Sequence, residues 1–472
     1  MSHAPAVSAV LAGMDPVTWA RVQMAFTLAC HIILVPLAVA WSFIALVANA
    51  IGVFRKDSDA LLMAQRWSKV MAVTFAVGAV SGTVLSFEFG LLWPRFMGRF
   101  GAAFGIPFAI EGVFFFVEAI FIGIYLYGWR RLSPVAHLLS GIPIVIAGIG
   151  GTFSVVSANA WMNQPSGFSL DSTGHVASVD PWHVIFNNAT SYETVHMMLA
   201  SYMVAGFLVA SVYAVAMLRG RRGRYQRLAF VIPFTVAAIA APIQIVVGDW
   251  AARAISQDQP AKFAAVELVQ KTSTNVPETL LGYIGSDGTV HAGLNIPDFA
   301  SLLTGFSTDT KIVGLQAFPV DARPATAEVN YVHISWDVMI AMGFGLLGLG
   351  GWFGLSMLRR RGPPMNRLFL LGASASGVMA IAALEAGWMV TEVGRQPWIV
   401  NGYMKVADAS TPVGGVWVTL IVIVVVYTIV AVATVAVLRG MMRRWQNTTG
   451  DSSDVPYGPH EELVPETAEA AT

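Results

Sequence analysis

Carboxylate, histidine and methionine side chains sit inside long apolar runs of this sequence, where each type could hold a metal ion or move a proton. The densest stretch is Leu384-Glu-Ala-Gly-Trp-Met-Val-Thr-Glu-Val-Gly-Arg-Gln-Pro-Trp398, which closes an apolar run beginning near Leu368. An ionisable group at the centre of a membrane helix costs roughly 2.5–3.5 kcal/mol, so Glu385 is a functional candidate by default. Glu385 and Glu392 are seven residues apart, two helical turns, and share a face. Arg395 follows about one turn later, within reach of a carboxylate, and Pro397 ends the helix because it has no amide hydrogen to donate. Trp388 and Trp398 suit the boundary between hydrocarbon and water. A re-entrant segment with structural ion pairs is the competing reading of these residues.

Three further groups carry candidate chemistry. His31 ends Arg21-Val-Gln-Met-Ala-Phe-Thr-Leu-Ala-Cys-His31, and His196 ends Tyr192-Glu-Thr-Val-His196. A lone intramembrane histidine is more often an interhelical hydrogen-bond partner than a ligand. Met339 ends Trp336-Asp-Val-Met339, but with 20 methionines no His–Met pairing can be chosen from the sequence alone. His333, six residues earlier, is the weaker candidate on that helix and reads as a packing histidine. Glu111 and Glu118 are seven apart on one helix face and suit a proton relay, or else a polar stripe packed on a neighbour. Lys262 and Glu267, five apart, read on their own as an ordinary solvated pair.

The elements that must position these groups are membrane helices. The 472 residues are 56% hydrophobic and 12% charged, where a soluble domain carries about 25% charged residues. The fold class is therefore an all-α integral membrane protein. Nine runs approach the twenty residues a bilayer requires, at about 22–49, 70–92, 108–128, 137–160, 190–218, 228–247, 331–357, 366–393 and 414–438. The chain divides into spans one to six (1–247), a long loop (248–330), spans seven to nine (331–442) and a disordered tail (443–472). A formal net charge of +0 gives nothing to nucleic acid. The single cysteine, Cys30, excludes an internal disulfide, a Cys-rich metal site and covalent haem attachment through C-x-x-C-H, and reads as packing. No basic segment precedes the first apolar run, so that run serves as its own insertion signal.

The loops after the odd-numbered spans hold 18 Lys and Arg, against 5 on the other side with the long loop set aside. The first side is cytoplasmic, so the N-terminus and the long loop face outward and the C-terminus and tail face in. On that orientation His31, Glu88, Glu111, His196, Asp249, Asp337, Met339 and Glu385 all fall in the outer parts of seven helices. Scattered structural polar groups would not share a depth; a liganded cavity near the outer surface would produce this pattern.

Glu-Ala-Gly-Trp followed by Gly-Arg-Gln-Pro-Trp resembles the motif of subunit I of the cytochrome bd quinol oxidases, and the resemblance runs from about Arg21 to the end of the ninth span. It implies a quinol:oxygen oxidoreductase in the bacterial cytoplasmic membrane, paired with a subunit II, with or without small single-helix subunits. It implies two b-type haems and a third haem, d or b, held between helices near the outer surface. His196 and Met339 then match the ligands of the low-spin haem, while His31 and Glu385 match those of the high-spin pair. Arg395 and Trp388 stand beside the cofactors, and Glu111 and Glu118 relay protons toward the oxygen site. Lys262, Glu267 and Asp249 belong to the quinol site for ubiquinol or menaquinol, in a loop like that of the short-loop, cyanide-insensitive branch. Water forms from oxygen with cytoplasmic protons, and charge separates by sidedness without a pump.

Three positions depart from the family pattern. Asp337 stands where relatives commonly have Arg, Ile381 where they often have Trp, and the Glu111–Glu118 spacing is one residue shorter. Two other classes remain as alternatives: a cofactor-free proton-coupled transporter, which would show inverted repeats that the sequence lacks, and a haem sensor of redox state or oxygen, suggested by Asp337.

Overall fold

The computed structural model describes residues 15–447. A bilayer offers the backbone no hydrogen-bond partners, so each apolar run satisfies its own amides by forming a helix. The first helices are α1 (Pro16–Arg55), α2 (Ser58–Leu92) and α3 (Pro94–Gly128). A short α4 (Pro134–Ser140) leads into α5 (Ile142–Asn163), and α6 (Pro181–Ile185) precedes α7 (Thr190–Leu218). Next come α8 (Arg224–Asp258) and two short loop helices, α9 (Pro260–Val266) and α10 (Phe299–Gly305). The chain continues with α11 (Thr326–Arg360), α12 (Arg367–Val393), the single turn α13 (Val406–Ala409) and α14 (Val416–Asn447). Among the described residues nine helices are long and apolar enough to cross a membrane, with α4 and α5 counting as one span.

Capping residues fix several starts. The Asp15 carboxylate accepts from the Val17 amide at 3.2 Å, Asp57 from Ala60 at 3.2 Å and Asn366 from Phe369 at 2.8 Å. Arg224 at the start of α8 pairs with Asp57 and, at 2.9 Å, with Asp59, which ties α8 to the turn between α1 and α2.

Several helices outrun the apolar segments that predict them. The run 228–247 predicts the sixth span, but α8 continues to Asp258, so Gly248 and Asp249 lie on a helix rather than opening the loop. Hydropathy marks only the part that crosses hydrocarbon, whereas a helix persists as long as packing supports it; here α9 and α10 pack on the extension. Likewise α14 takes residues 443–447 from the expected tail, and the rest of that tail lies outside the described residues.

Helix α7 is the centre of the bundle, packed along α8 and α12, with α11 lying along α12. Phe207, Phe230, Phe234, Phe353 and Phe369 fill that core. A β-carbon on Gly206 would meet the Pro233 carbonyl oxygen at 2.6 Å, so only glycine lets α7 and α8 approach this closely. By contrast α14 rests on α1 and α2 with its apolar residues, Ile421 and Ile429 among them, exposed.

The connections form two-stranded antiparallel sheets. Strand β1 (Phe168–Leu170) pairs with β2 (Val176–Val179). In the long loop β3 (Glu278–Leu280) pairs with β6 (Leu294–Ile296), enclosing β4 (Tyr283–Ile284) and β5 (Val290–His291). After α12 the chain turns through β7 (Trp398–Val400) and β8 (Met404–Lys405).

Candidate functional site

A cavity of about 590 Å³ lies between α7, α8, α11 and α12 and is closed over by α9 and α10. That volume is in the range of sites for cofactor-sized ligands. His196 from α7 and Met339 from α11 both line it, with Trp388 from α12 and Asp249 from α8. The His196 Nδ1 atom is buried without a hydrogen-bond partner, as are Trp336 Nε1, Trp388 Nε1 and Gln244 Oε1. So many unmet polar groups around an apolar space mark a site built for a ligand. Glycines make room on two sides. A β-carbon on Gly248 would come within 3.6 Å of His196 Cε1, and one on Gly387 would come within 2.9 Å of the Met339 sulfur.

Lys262 and Glu267 line the same cavity, from α9 and the residue that follows it. They point to different partners, as their five-residue spacing requires. Lys262 donates to Asn163 Oδ1 at 3.0 Å, and burial lowers the pKa of its ammonium group while Glu193 opposes the shift. Glu267 turns toward Glu278, and burial together with that second carboxyl raises its pKa well above the ordinary range. Asp249 pairs with Arg253 one turn along α8.

Asn163, at the end of α5, is a hydrogen-bond hub. Its side-chain oxygen accepts from Lys262 and, at 3.3 Å, from Arg395, while its amide donates to Glu193 at 2.9 Å and to Asn159 at 3.2 Å. Arg395 bonds Glu392 at 2.5 Å, the pairing expected from their spacing, and Asn159 donates to the same carboxylate. Two cations and two carboxylates are thus joined through two asparagines. A second cavity, about 260 Å³, adjoins Lys262 and Arg395. Asn159, Asn163 and Glu193 carry no assignment from the sequence. Their signal was there: two asparagines one turn apart in an apolar helix, and a carboxylate three residues before His196.

His31, Glu111, Glu118, Glu385 and Arg395 do not line the larger cavity. His31 Nδ1 lies 2.8 Å from Ser81 Oγ, whose own proton goes to the Gly78 carbonyl at 2.9 Å. The imidazole must therefore donate from Nδ1, which leaves the Nε2 lone pair for a ligand. One and two turns back on α1, Thr27 and Gln23 donate to Glu88 on α2 at 3.1 and 2.8 Å. Glu385 is half-buried, its Oε1 atom has no partner, and Cys30 lies within its electrostatic reach. Glu118 is buried, with Oε1 unpartnered and facing Gly148 of α5, and Glu111 is its nearest charged neighbour on α3.

His333 is a packing residue, as its position suggested: it is fully buried, and its Nδ1 donates to the Val266 carbonyl at 2.6 Å. Asp337 accepts the Leu281 amide at 2.6 Å and pins the β-hairpin of the loop to α11. Among the described residues no three His, Cys, Asp or Glu side chains cluster to hold a bare metal ion. Of the candidate ligands, His196 and Met339 share one cavity and His31 and Glu385 stand apart from it; a haem iron needs only one or two protein ligands, because its macrocycle supplies the other bonds.

Fold and site together define a polytopic helical membrane protein with an internal cavity lined by the candidate ligands His196 and Met339. Residues 19–446 match the family described as cytochrome bd terminal oxidase subunit I, and the chain belongs to that family. A putative cytochrome bd menaquinol oxidase subunit I of Bacillus subtilis is 30% identical, over 91% of this chain and 97% of its own length. The cytochrome bd-II ubiquinol oxidase subunit 1 of Escherichia coli is 26% identical, over 91% and 96%. The solved bd oxidase of Geobacillus thermodenitrificans superposes with a TM-score of 0.86 at 35% identity, covering 92% of this chain and 99% of that one.

Proposed function

We propose that this chain is the haem-bearing subunit of a quinol:oxygen oxidoreductase, with quinol oxidised at the large cavity and oxygen reduced to water. One observation carries the reading: His196 and Met339 line the same cavity as Lys262 and Glu267, which puts a candidate ligand pair and two ionisable groups around one largely apolar space. The residues suit the group, because the unpartnered His196 nitrogen and the Met339 sulfur meet an apolar space of cofactor size. A haem held there would take one electron at a time, with the thioether raising its potential. His31 and Glu385 would hold the high-spin haems, b-type and a third of b or d type; each presents one atom with no competing partner. Trp388 would pack beside the low-spin haem, whose cavity it lines, and Arg395 would balance carboxylate or propionate charge at the end of the same helix.

Lys262, Glu267 and Asp249 would bind the quinol, ubiquinol or menaquinol, and accept its protons on the loop side. Glu111 and Glu118 would bring protons from the cytoplasm to the oxygen site, so that sidedness alone builds a proton motive force without pumping. The relatives are named as subunits, which agrees with a subunit II partner in the bacterial cytoplasmic membrane, with or without small single-helix subunits.

The test is the reduced-minus-oxidised spectrum of membranes carrying His196→Ala or Met339→Leu. Each variant should lose the sharp low-spin band and keep the high-spin haems. An unchanged low-spin spectrum in both would remove the assignment.

A further inference from the structure

The cavity holds a second carboxyl group beside Glu267. Glu278 opens strand β3, is buried, and lines the same cavity. The two carboxyls lie within hydrogen-bonding reach of each other, and Glu267 Oε2 is buried with no hydrogen-bond partner. Among the described residues no lysine or arginine forms an ion pair with either. From α11, Asp337 faces them, and His333 Nε2 lies 3.5 Å from the Asp337 carboxylate. The other charged groups on the cavity wall are engaged elsewhere: Lys262 and Glu193 on Asn163, and Arg253 on Asp249.

Two carboxyls in contact with no cation to neutralise them cannot both ionise, so they hold one proton between them. Burial comes first and mutual repulsion second in keeping Glu267 above the ordinary carboxylate range, and burial does the same for Glu278. A singly protonated pair can accept one more proton and readily give it up again. It also stands near solvent. The partner strand β6 is exposed along Leu294–Ile296, and Thr279, next to Glu278, donates to Asn295 at 3.0 Å.

We propose that Glu267 and Glu278 form one two-carboxyl proton acceptor for the quinol in this cavity, with Glu278 passing the proton to the loop surface. The proposal rests on the quinol reading above. On oxidation, both quinol O–H bonds break and the ring gives up two electrons, which pass to ferric haem iron of the oxidase and on to oxygen. Each proton in turn adds to the pair and leaves from Glu278 to water, which restores the single shared proton.

The experiment is turnover of the assembled oxidase in membranes with a short-chain quinol across pH, for wild type, E278Q and E278D. Oxygen uptake from an artificial donor that feeds the haems directly is measured alongside. Removing a general base outright costs about 10²–10⁴-fold; with Glu267 still present, E278Q should lower quinol kcat by at least about tenfold while KM changes less than about twofold. The acid limb of its pH profile should move to lower pH, because Glu267 loses the repulsion that raises its pKa, and E278D should restore most of the turnover. Donor-driven uptake should persist in both variants. Wild-type kcat and an unmoved acid limb in E278Q overturn the proposal while leaving quinol oxidation at this cavity standing. Equal loss of quinol-driven and donor-driven uptake in both E278Q and E278D overturns it too, since Glu278 would then be structural. A different result, unaltered quinol kinetics in both Lys262→Ala and Glu267→Ala, would remove the underlying quinol site itself.

Discussion

Glu385 and Glu392 share a helix face, yet their surroundings differ in a way that separates their roles. Glu392 is matched: Arg395 bonds one oxygen at 2.5 Å and Asn159 donates to the other. Glu385 Oε1 has no partner, and Arg395 is ten residues further along, about 15 Å of helix. A carboxylate among apolar neighbours with no cation beside it calls for a compensating positive charge, which a metal would supply. Glu385→Gln should therefore cut oxygen reduction by at least about tenfold, the lower end of what losing a metal-site contact costs, and disturb the high-spin haem spectrum. The low-spin band should survive. Glu392→Gln should keep all haem bands and instead lower thermal stability, because it leaves Arg395 without its carboxylate. The opposite pattern in the two spectra would show that the wrong carboxylate has been chosen.

At the scale of elements, the approach of α11 to α12 decides where the Met339 sulfur lies. Gly387 leaves the thioether no β-carbon to meet, and an added one would stand 2.9 Å from it. Gly387→Ala should displace the sulfur, at a cost of about 1–3 kcal/mol for overpacking. The readout is the low-spin band, which should shift or weaken while the spectrum from the His31 and Glu385 sites stays constant. An unmoved band would mean that Met339 is not a ligand. This contact was not legible in the sequence, because periodicity places Gly387 and Met339 on faces without saying which faces meet. Asp337 makes the same point. As a departure from Arg it raised doubt about the cofactor, whereas in the fold it holds the Leu281 amide and so belongs to the loop.

At the scale of the whole molecule, the nine spans of the described residues and their order were legible, since twenty apolar residues in a row admit few other structures. The ends were not: α8 runs past its apolar segment to Asp258, supported by contacts that hydropathy does not register. His196, Met339, Lys262 and Glu267 could be named as candidates, but their common cavity needed four helices and the loop to be assembled. If quinol gives up protons on the loop side while oxygen takes them from the other, turnover must move charge. In proteoliposomes, quinol-driven oxygen uptake should build a membrane potential that a protonophore collapses, with protons appearing only on the loop side. Uptake with no potential would mean that both half-reactions draw on the same side.

Asn163 links positions that the ribosome delivers far apart in time. Beyond its own helix its partners include residues 193, 262, 395 and 401, the last through Asn401 donating to its backbone oxygen at 3.1 Å. Until the segment after α12 emerges, Lys262 and Glu193 meet at an asparagine that still lacks the partners supplied by residues 395 and 401. The contacts that tie α5 to the end of α12 are thus the last to form, and a chain cut before residue 395 leaves Glu392 without its guanidinium and Asn163 without two of its partners.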